Sequence, residues 1–204
     1  MLSKHSSSAW YPNLGEWWLY LAGFINLWVF YLAGYIIAYS MQIWANRKRG
    51  APFDDPDFIS RKKIYVPALL WIFGGFAISV FVPFEFGLLF FVGFLILAMG
   101  MIIGGLALYS FAHSPALTTT RIHRYSRNPI YLGWTIFFLG LTLMGWTDSL
   151  WRIVFVMYFI YTVFYLHFTV LQEEKFLIGK YGDDYQKYLD ETPRYLGTPR
   201  SSSE

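Results

Sequence analysis

The chain has 204 residues, of which 56% are apolar, 22% aromatic and only 14% charged, with a formal net charge of +3. Soluble domains carry about 25% charged and about 45–50% apolar residues, so this composition excludes an ordinary water-soluble fold and points to a bilayer. The small basic excess gives no reason to expect a nucleic-acid partner, and the lack of cysteine excludes disulfides, thiolate metal sites and cysteine nucleophiles.

Residues 1–16 are polar, with Lys4, His5 and Ser6 to Ser8, and they lack the pattern of a secretory signal. A spanning helix needs about 20 mostly apolar residues. Five stretches reach or approach that length: 17–44, 65–82, 86–111, 130–146 and 150–171. None alternates as barrel strands do. The expected fold is all-α: a polytopic membrane helical bundle of five transmembrane helices, one domain over 1–204, with a cytosolic helical tail at 172–196. Pro83-Phe84-Glu85 and Thr147-Asp148-Ser149 are too short to be anything but turns, so each joins an antiparallel hairpin.

Lys and Arg collect on the cytoplasmic side of a membrane. Five spans with the N-terminus outside put every basic residue except Lys4 and Arg152 on one side. The C-terminus is then cytoplasmic, and the compact chain suits a prokaryotic cytoplasmic membrane. Trp10, Trp17, Trp18, Trp44, Trp134, Trp146 and Trp151 fall near span ends, as an interfacial aromatic belt would. Glycines within the spans, among them Gly100, Gly104, Gly105, Gly133 and Gly140, allow close helix approach.

Between the first two spans, 46–63 reads as a cytoplasmic connector, and Asp54, Asp55 and Asp57 read as a solvated acidic turn rather than a metal site. Past the fifth span the helix is expected to continue to Tyr181, with Gly182 ending it. Asp183 is expected to cap a second short helix carrying Tyr185, Tyr188 and Leu189. Pro193 prevents its extension.

Two segments crowd polar residues against the membrane: LTTTRIHRYSRNPIYLG over 117–133 and QEEKFLIGKYGDDYQKYLDETPRY over 172–195. Both lie on the expected cytoplasmic side and flank the hairpin of the last two spans, so they can meet. Thr119, Arg127-Asn128-Pro129, Tyr131, Gly133, Glu173-Glu174, Tyr181-Gly182, Tyr185, Tyr188 and Pro193-Arg194 occur in that order. This pattern resembles the signature of the isoprenylcysteine carboxyl methyltransferase and phospholipid methyltransferase superfamily, over roughly 95–196. The superfamily's Gly and Tyr before Arg-Asn-Pro are Arg121 and His123 here, and Lys180 stands where members often carry Arg.

The resemblance implies methyl transfer from S-adenosylmethionine to a lipophilic or prenylated acceptor, among membrane lipids and without a Rossmann domain. No G-x-G-x-x-G follows a strand in this chain. The implied cofactor-binding set is His123, Tyr125, Arg127, Asn128, Pro129, Tyr131, Gly133, Glu173, Tyr185 and Tyr188. Arg127 or His123 suits the donor's carboxylate, Glu173 or Glu174 its ammonium, and the tyrosine rings its adenine and sulfonium. The implied catalytic set is Glu174, His167 and Lys180. An amine or thiol acceptor must lose a proton, which Glu174 or His167, two turns apart on one helix, can take. His113 is a further candidate. Arg121 and Arg124 read mainly as membrane anchors.

Two rival functions share parts of this pattern. A sterol-type membrane reductase has a similar Asn-Pro-x-Tyr but more spans and a nicotinamide cofactor. A non-catalytic lipid-binding protein would have no donor pocket. The acceptor and the oligomeric state are not legible in the sequence.

Overall fold

The computed structural model describes residues 26–50, 62–114 and 116–198. The start of the first expected span and the connector with Asp54, Asp55 and Asp57 lie outside the described residues. Among those described, every regular element is helical, with no strand. In chain order they are α1 (Trp28–Arg49), α2 (Lys62–Leu69), a π-helical turn (Leu70–Gly74), α3 (Gly75–Ser79), α4 (Leu88–Ala112), a 3₁₀ turn (Arg121–Arg124), α5 (Pro129–Met144), α6 (Trp151–Tyr181) and α7 (Asp183–Glu191). Two of them, α4 and α6, are long and apolar enough to cross a membrane. Val66–Ser79 and Pro129–Met144 are shorter apolar helical stretches.

Local chemistry accounts for the helix ends. Gly50 closes α1 in the left-handed region at φ 67°, where a side chain would strain the backbone. Pro129 starts α5, since its missing N–H is one that no helix would use at that position. Gly182, at φ 55°, separates α6 from α7. It is the residue before α7, so Asp183 is not the cap: it is the first helical residue, beside Asp184, where negative charge favours the helix dipole.

α4 and α5 approach closely because glycines face each other. A Cβ on Gly100 would lie 2.5 Å from the Phe137 nitrogen, and one on Gly133 2.8 Å from the Gly100 oxygen. Gly93 and Gly140 repeat the contact one heptad away, with a Cβ on Gly93 falling 2.6 Å from the Gly140 oxygen. Such a stripe lets two membrane helices gain dispersion contacts that lipid tails cannot match.

The core between α1, α3, α5 and α6 is aromatic, with Tyr31, Trp71, Phe137, Phe138, Phe155 and Tyr158 buried. Pro67 and the π turn disturb the helical hydrogen-bond ladder over 62–79. Tyrosine hydroxyls meet the carbonyls there. Tyr31 donates to Ile72 at 2.8 Å, Tyr158 donates to Trp71, and Tyr161 donates to Pro67 at 2.9 Å. Water cannot serve these groups within a bilayer, so neighbouring side chains must.

α6 has 31 residues. At 1.5 Å per residue that is about 46 Å, longer than a hydrocarbon core of about 30 Å. Glu173 and Glu174 lie in its C-terminal third, from which the chain continues into α7 and the C-terminal strap that follows it.

Candidate functional site

The two polar segments meet around one carboxylate. Glu174 is 5% exposed. Its Oε1 accepts from Arg127 Nε at 3.3 Å, Arg127 Nη2 at 3.2 Å, Asn128 Nδ2 at 3.1 Å and Arg194 Nε at 3.2 Å. Its Oε2 accepts from Arg194 Nη2 at 2.9 Å. All three side-chain nitrogens of Arg127 are engaged: its Nη1 also donates to the Leu189 and Thr192 carbonyls, both at 2.6 Å. Those carbonyls end α7, where the helix dipole favours a cation. The Arg127 amide donates to Pro193 O at 3.0 Å, and the Gly197 amide to Tyr125 O at 3.1 Å. Tyr188 donates to the His123 carbonyl at 2.6 Å. These bonds fasten α7 and residues 192–197 across 123–128 as a clasp.

Bidentate guanidinium–carboxylate pairs are the strong, geometrically specific ones. The hydrogen bond to Glu174 holds the Arg194 guanidinium above its usual range. Burial pushes the Tyr185 and Tyr188 phenols up, so both stay neutral. Burial pushes His123 down to about 4, and the nearby Arg49 guanidinium adds to the effect. Its Nδ1 is shut from solvent with no hydrogen-bond partner.

The neighbouring carboxylate is unlike Glu174. Glu173 Oε2 is closed off from solvent and has no partner, while its carboxyl lies against the Tyr131 hydroxyl. Adjacent residues point about 100° apart around a helix. Glu174 thus faces the clasp and Glu173 faces α5.

The other expected site residues are distributed as follows. Asn128 and Pro129 are buried at the start of α5, and Gly133 packs on α4. Tyr185 and Tyr188 are buried edge to face at 5.9 Å. Tyr125 is 52% exposed, with its carbonyl used by the strap. Lys180 Nζ lies 5.5 Å from the Phe176 ring and 5.9 Å from the Tyr181 ring. His167 Nδ1 is 2.5 Å from the Tyr195 hydroxyl. His113 lies outside the clasp, its Nε2 2.7 Å from Lys48 Nζ. Ser126, Arg194 and Tyr195 are structural members of this region that the sequence reading gave no role. Arg194 had been visible within the Pro-Arg pair, but Ser126 and Tyr195 carried no signal of their own. No group of three or more His, Asp or Glu among the described residues could hold a metal ion.

Just beyond the clasp along α5, residues of α1, the π turn, α4 and α5 line an open-sided cavity of about 200 Å³. Tyr35, Trp71, Gly104, Ile130, Gly133 and Trp134 are among its walls.

A helical membrane protein with a buried carboxylate–guanidinium knot near the C-terminal end of α6, the longest of the described helices, is the class that fold and site define. Residues 86–184 match the phospholipid methyltransferase family. That family is one of the isoprenylcysteine and phospholipid methyltransferase superfamily of membrane methyltransferases, the one the sequence pattern resembles. No curated protein and no solved structure matched the chain.

Proposed function

We propose that the chain is a five-span integral membrane methyltransferase, N-terminus outside and C-terminus cytoplasmic, that methylates a lipophilic acceptor from S-adenosylmethionine. The observation that carries this reading is the pair Glu173–Glu174 under the C-terminal strap, within and beside the segment that matches the family. One glutamate builds the clasp, and the other keeps a buried, unpartnered oxygen.

The residues present fit the donor. Glu173 Oε2 lacks a donor partner, and His123 Nδ1 lacks any partner. A buried polar atom without a partner costs about 1–3 kcal/mol, so an ammonium at Glu173 would relieve a real penalty. Tyr131 and Tyr185 supply rings and neutral hydroxyls near it, and Tyr188 stacks edge to face on Tyr185. Arg127 and Arg194 hold the strap in place, and Arg194, whose side chain is 38% exposed, is the one with room to meet an anion. When bound, S-adenosylmethionine supplies a methyl group on a cationic sulfur that an acceptor's lone pair displaces.

The chain's own task is then alignment and exclusion of water, which the strap and the aromatic core perform. For an amine or thiol acceptor one proton must leave. Glu174, with both oxygens taken by cations, is a positioning group and a poor proton acceptor. His167, paired with Tyr195, is the better one.

The test is calorimetry of the detergent-purified chain with S-adenosylhomocysteine, with NADPH in parallel. Micromolar binding, lost in Glu173→Gln at an unchanged melting temperature, is the expected result. Folded wild-type protein that ignores S-adenosylhomocysteine overturns the reading, and NADPH binding would point to the reductase instead.

A further inference from the structure

The C-terminal ends of α1 and α4 lie side by side and share an aromatic platform. The Trp44 and Tyr109 rings stack at 6.4 Å, 15° from parallel. The His113 ring lies 4.3 Å from Tyr109 and 6.3 Å from Trp44. Two cations are fixed on this platform. Lys48 Nζ sits 5.5 Å from the Trp44 ring and 2.7 Å from His113 Nε2. The Arg121 guanidinium sits 4.9 Å from the Tyr109 ring. His113 Nδ1 lies 2.8 Å from the Tyr109 carbonyl, which can only accept. Nδ1 therefore carries the proton, and Nε2 accepts from Lys48.

Rings and an imidazole lone pair are neutral partners. Among the described residues, neither Lys48 nor Arg121 forms an ion pair. A basic residue that only marks one side of a membrane extends its head into water. These two instead give up rotamer freedom to stay near one another, and their like charges repel. Arg121 adds a backbone cost. It has φ 58°, the one positive value outside glycine among the described residues. Such conformations persist where the surrounding structure imposes them, and they cluster at ligand sites. An anion held by both cations supplies what this arrangement lacks.

The neighbouring surface says where that anion comes from. On α4, Leu95, Met99, Ile102 and Leu106 are exposed. At spacings of four and three residues they form one stripe, which continues through exposed Tyr109 to exposed His113 at the helix end. Exposed hydrocarbon thus gives way to exposed rings and then to charge. A phospholipid presents acyl chain, interface and phosphate in the same order, and interfacial rings sit at headgroup level. A free phosphate would leave the stripe unused. A headgroup with an ammonium would bring a third cation to Lys48 and Arg121, so the fit is to a headgroup without an amine.

We infer that Trp44, Tyr109 and His113, with the cations Lys48 and Arg121, form a seat for the phosphate of an anionic phospholipid whose acyl chain lies along α4. None of these five residues lines the cavity or joins the clasp, and Trp44 and Lys48 lie outside the segment that matches the family. Neither methyl donor nor acceptor enters this seat, so it stands apart from the methyltransferase reading. It is nevertheless joined to the clasp. Arg121 opens the 3₁₀ turn that contains His123, whose carbonyl accepts from Tyr188. A lipid seated there stabilises the fold as well as binding to it.

The experiment titrates the full chain in detergent with short-chain phosphatidylglycerol, short-chain phosphatidylethanolamine and glycerol 3-phosphate. Native mass spectrometry reads the bound ligand, and a thermal melt reads the fold. Phosphatidylglycerol is expected to bind about 10-fold more tightly than either of the others and to raise the melting temperature. Lys48→Gln and Arg121→Gln each weaken its binding about 5-fold, the weight of one basic residue near an anionic surface. Arg121→Lys restores most of the loss. Arg152→Gln, which removes the same charge at the other end of α6, leaves the affinity unchanged. Equal affinity for the two lipids, glycerol 3-phosphate binding as tight as phosphatidylglycerol, wild-type affinity in folded Lys48→Gln and Arg121→Gln, or an equal loss in Arg152→Gln overturns the inference. If Arg121→Gln does not fold, Lys48→Gln decides.

Discussion

The clasp at the C-terminal end of α6 and the aromatic core bury polar groups by opposite means. In the clasp, two guanidiniums and an amide surround one carboxylate, and carbonyls take what remains of Arg127. In the core no charge takes part, and the hydroxyls of Tyr31, Tyr158 and Tyr161 serve backbone carbonyls freed near Pro67 and the π turn. The difference follows depth. A charge in hydrocarbon costs several kcal/mol, whereas a neutral hydroxyl there costs much less and still satisfies a carbonyl. The clasp therefore breaks at its charges, and the core breaks at its packing.

The largest effect is expected from Glu174→Ala. It leaves Arg127 buried beside an unbalanced positive charge and should remove about 3–5 kcal/mol of stability. A thermal melt in detergent checks this, and loss of less than about 1 kcal/mol would mean the clasp is not a buried ion pair. Glu174→Gln should be milder, since an amide oxygen can still accept.

Acidification tests the clasp at His123. Its folded pKa of about 4 lies below the ordinary value of 6.5, so the unfolded chain takes the proton first. Stability from this group is complete above about pH 6.5, declines as pH falls towards 4, and is then flat. At 1.36 kcal/mol per unit the loss reaches about 3 kcal/mol. His123→Asn should flatten the difference between melts at pH 7 and pH 4.5; an unchanged profile would exclude this cause.

In the apolar region the sharpest contrast is Gly100→Ala against Gly104→Ala. The first puts a Cβ 2.5 Å from a backbone nitrogen, and the second puts one in open space. Overpacking of this kind costs about 1–3 kcal/mol, so only Gly100→Ala should lower the melting temperature. Equal melting would mean α4 and α5 can separate freely.

Tyr158→Phe withdraws one hydroxyl from the Trp71 carbonyl and should cost about 1 kcal/mol. Tyr31 also lies within hydrogen-bond reach of that carbonyl, at 3.1 Å, so the double variant with Tyr31→Phe should lose more than the two single effects added. Smallest of all, Glu173→Gln should leave stability unchanged, because the Glu173 Oε2 it replaces has no partner to lose. A large loss there would give Glu173 the same structural role as Glu174 and remove the distinction between them.

Much of the architecture was legible in the residues. Apolar runs located α4 and α6, Pro129 and Gly182 marked element ends, and the order of Arg127-Asn128-Pro129 and Glu173-Glu174 carried the family resemblance. These signals are local, because helix formation and insertion in a bilayer depend on contiguous apolar length and on proline and glycine at fixed offsets.

The tertiary structure decided the rest. Arg127 and Glu174 lie 47 positions apart, and nothing in either segment says that all three Arg127 nitrogens donate within its own chain. Helix phase, set only once α6 is docked, sends one glutamate of a pair to the clasp and the other to α5. The Tyr35 and Trp71 rings come within 5.6 Å only after α1 packs beside the π turn. Composition and punctuation determine where helices run, but which polar atoms are satisfied is a property of the packed whole.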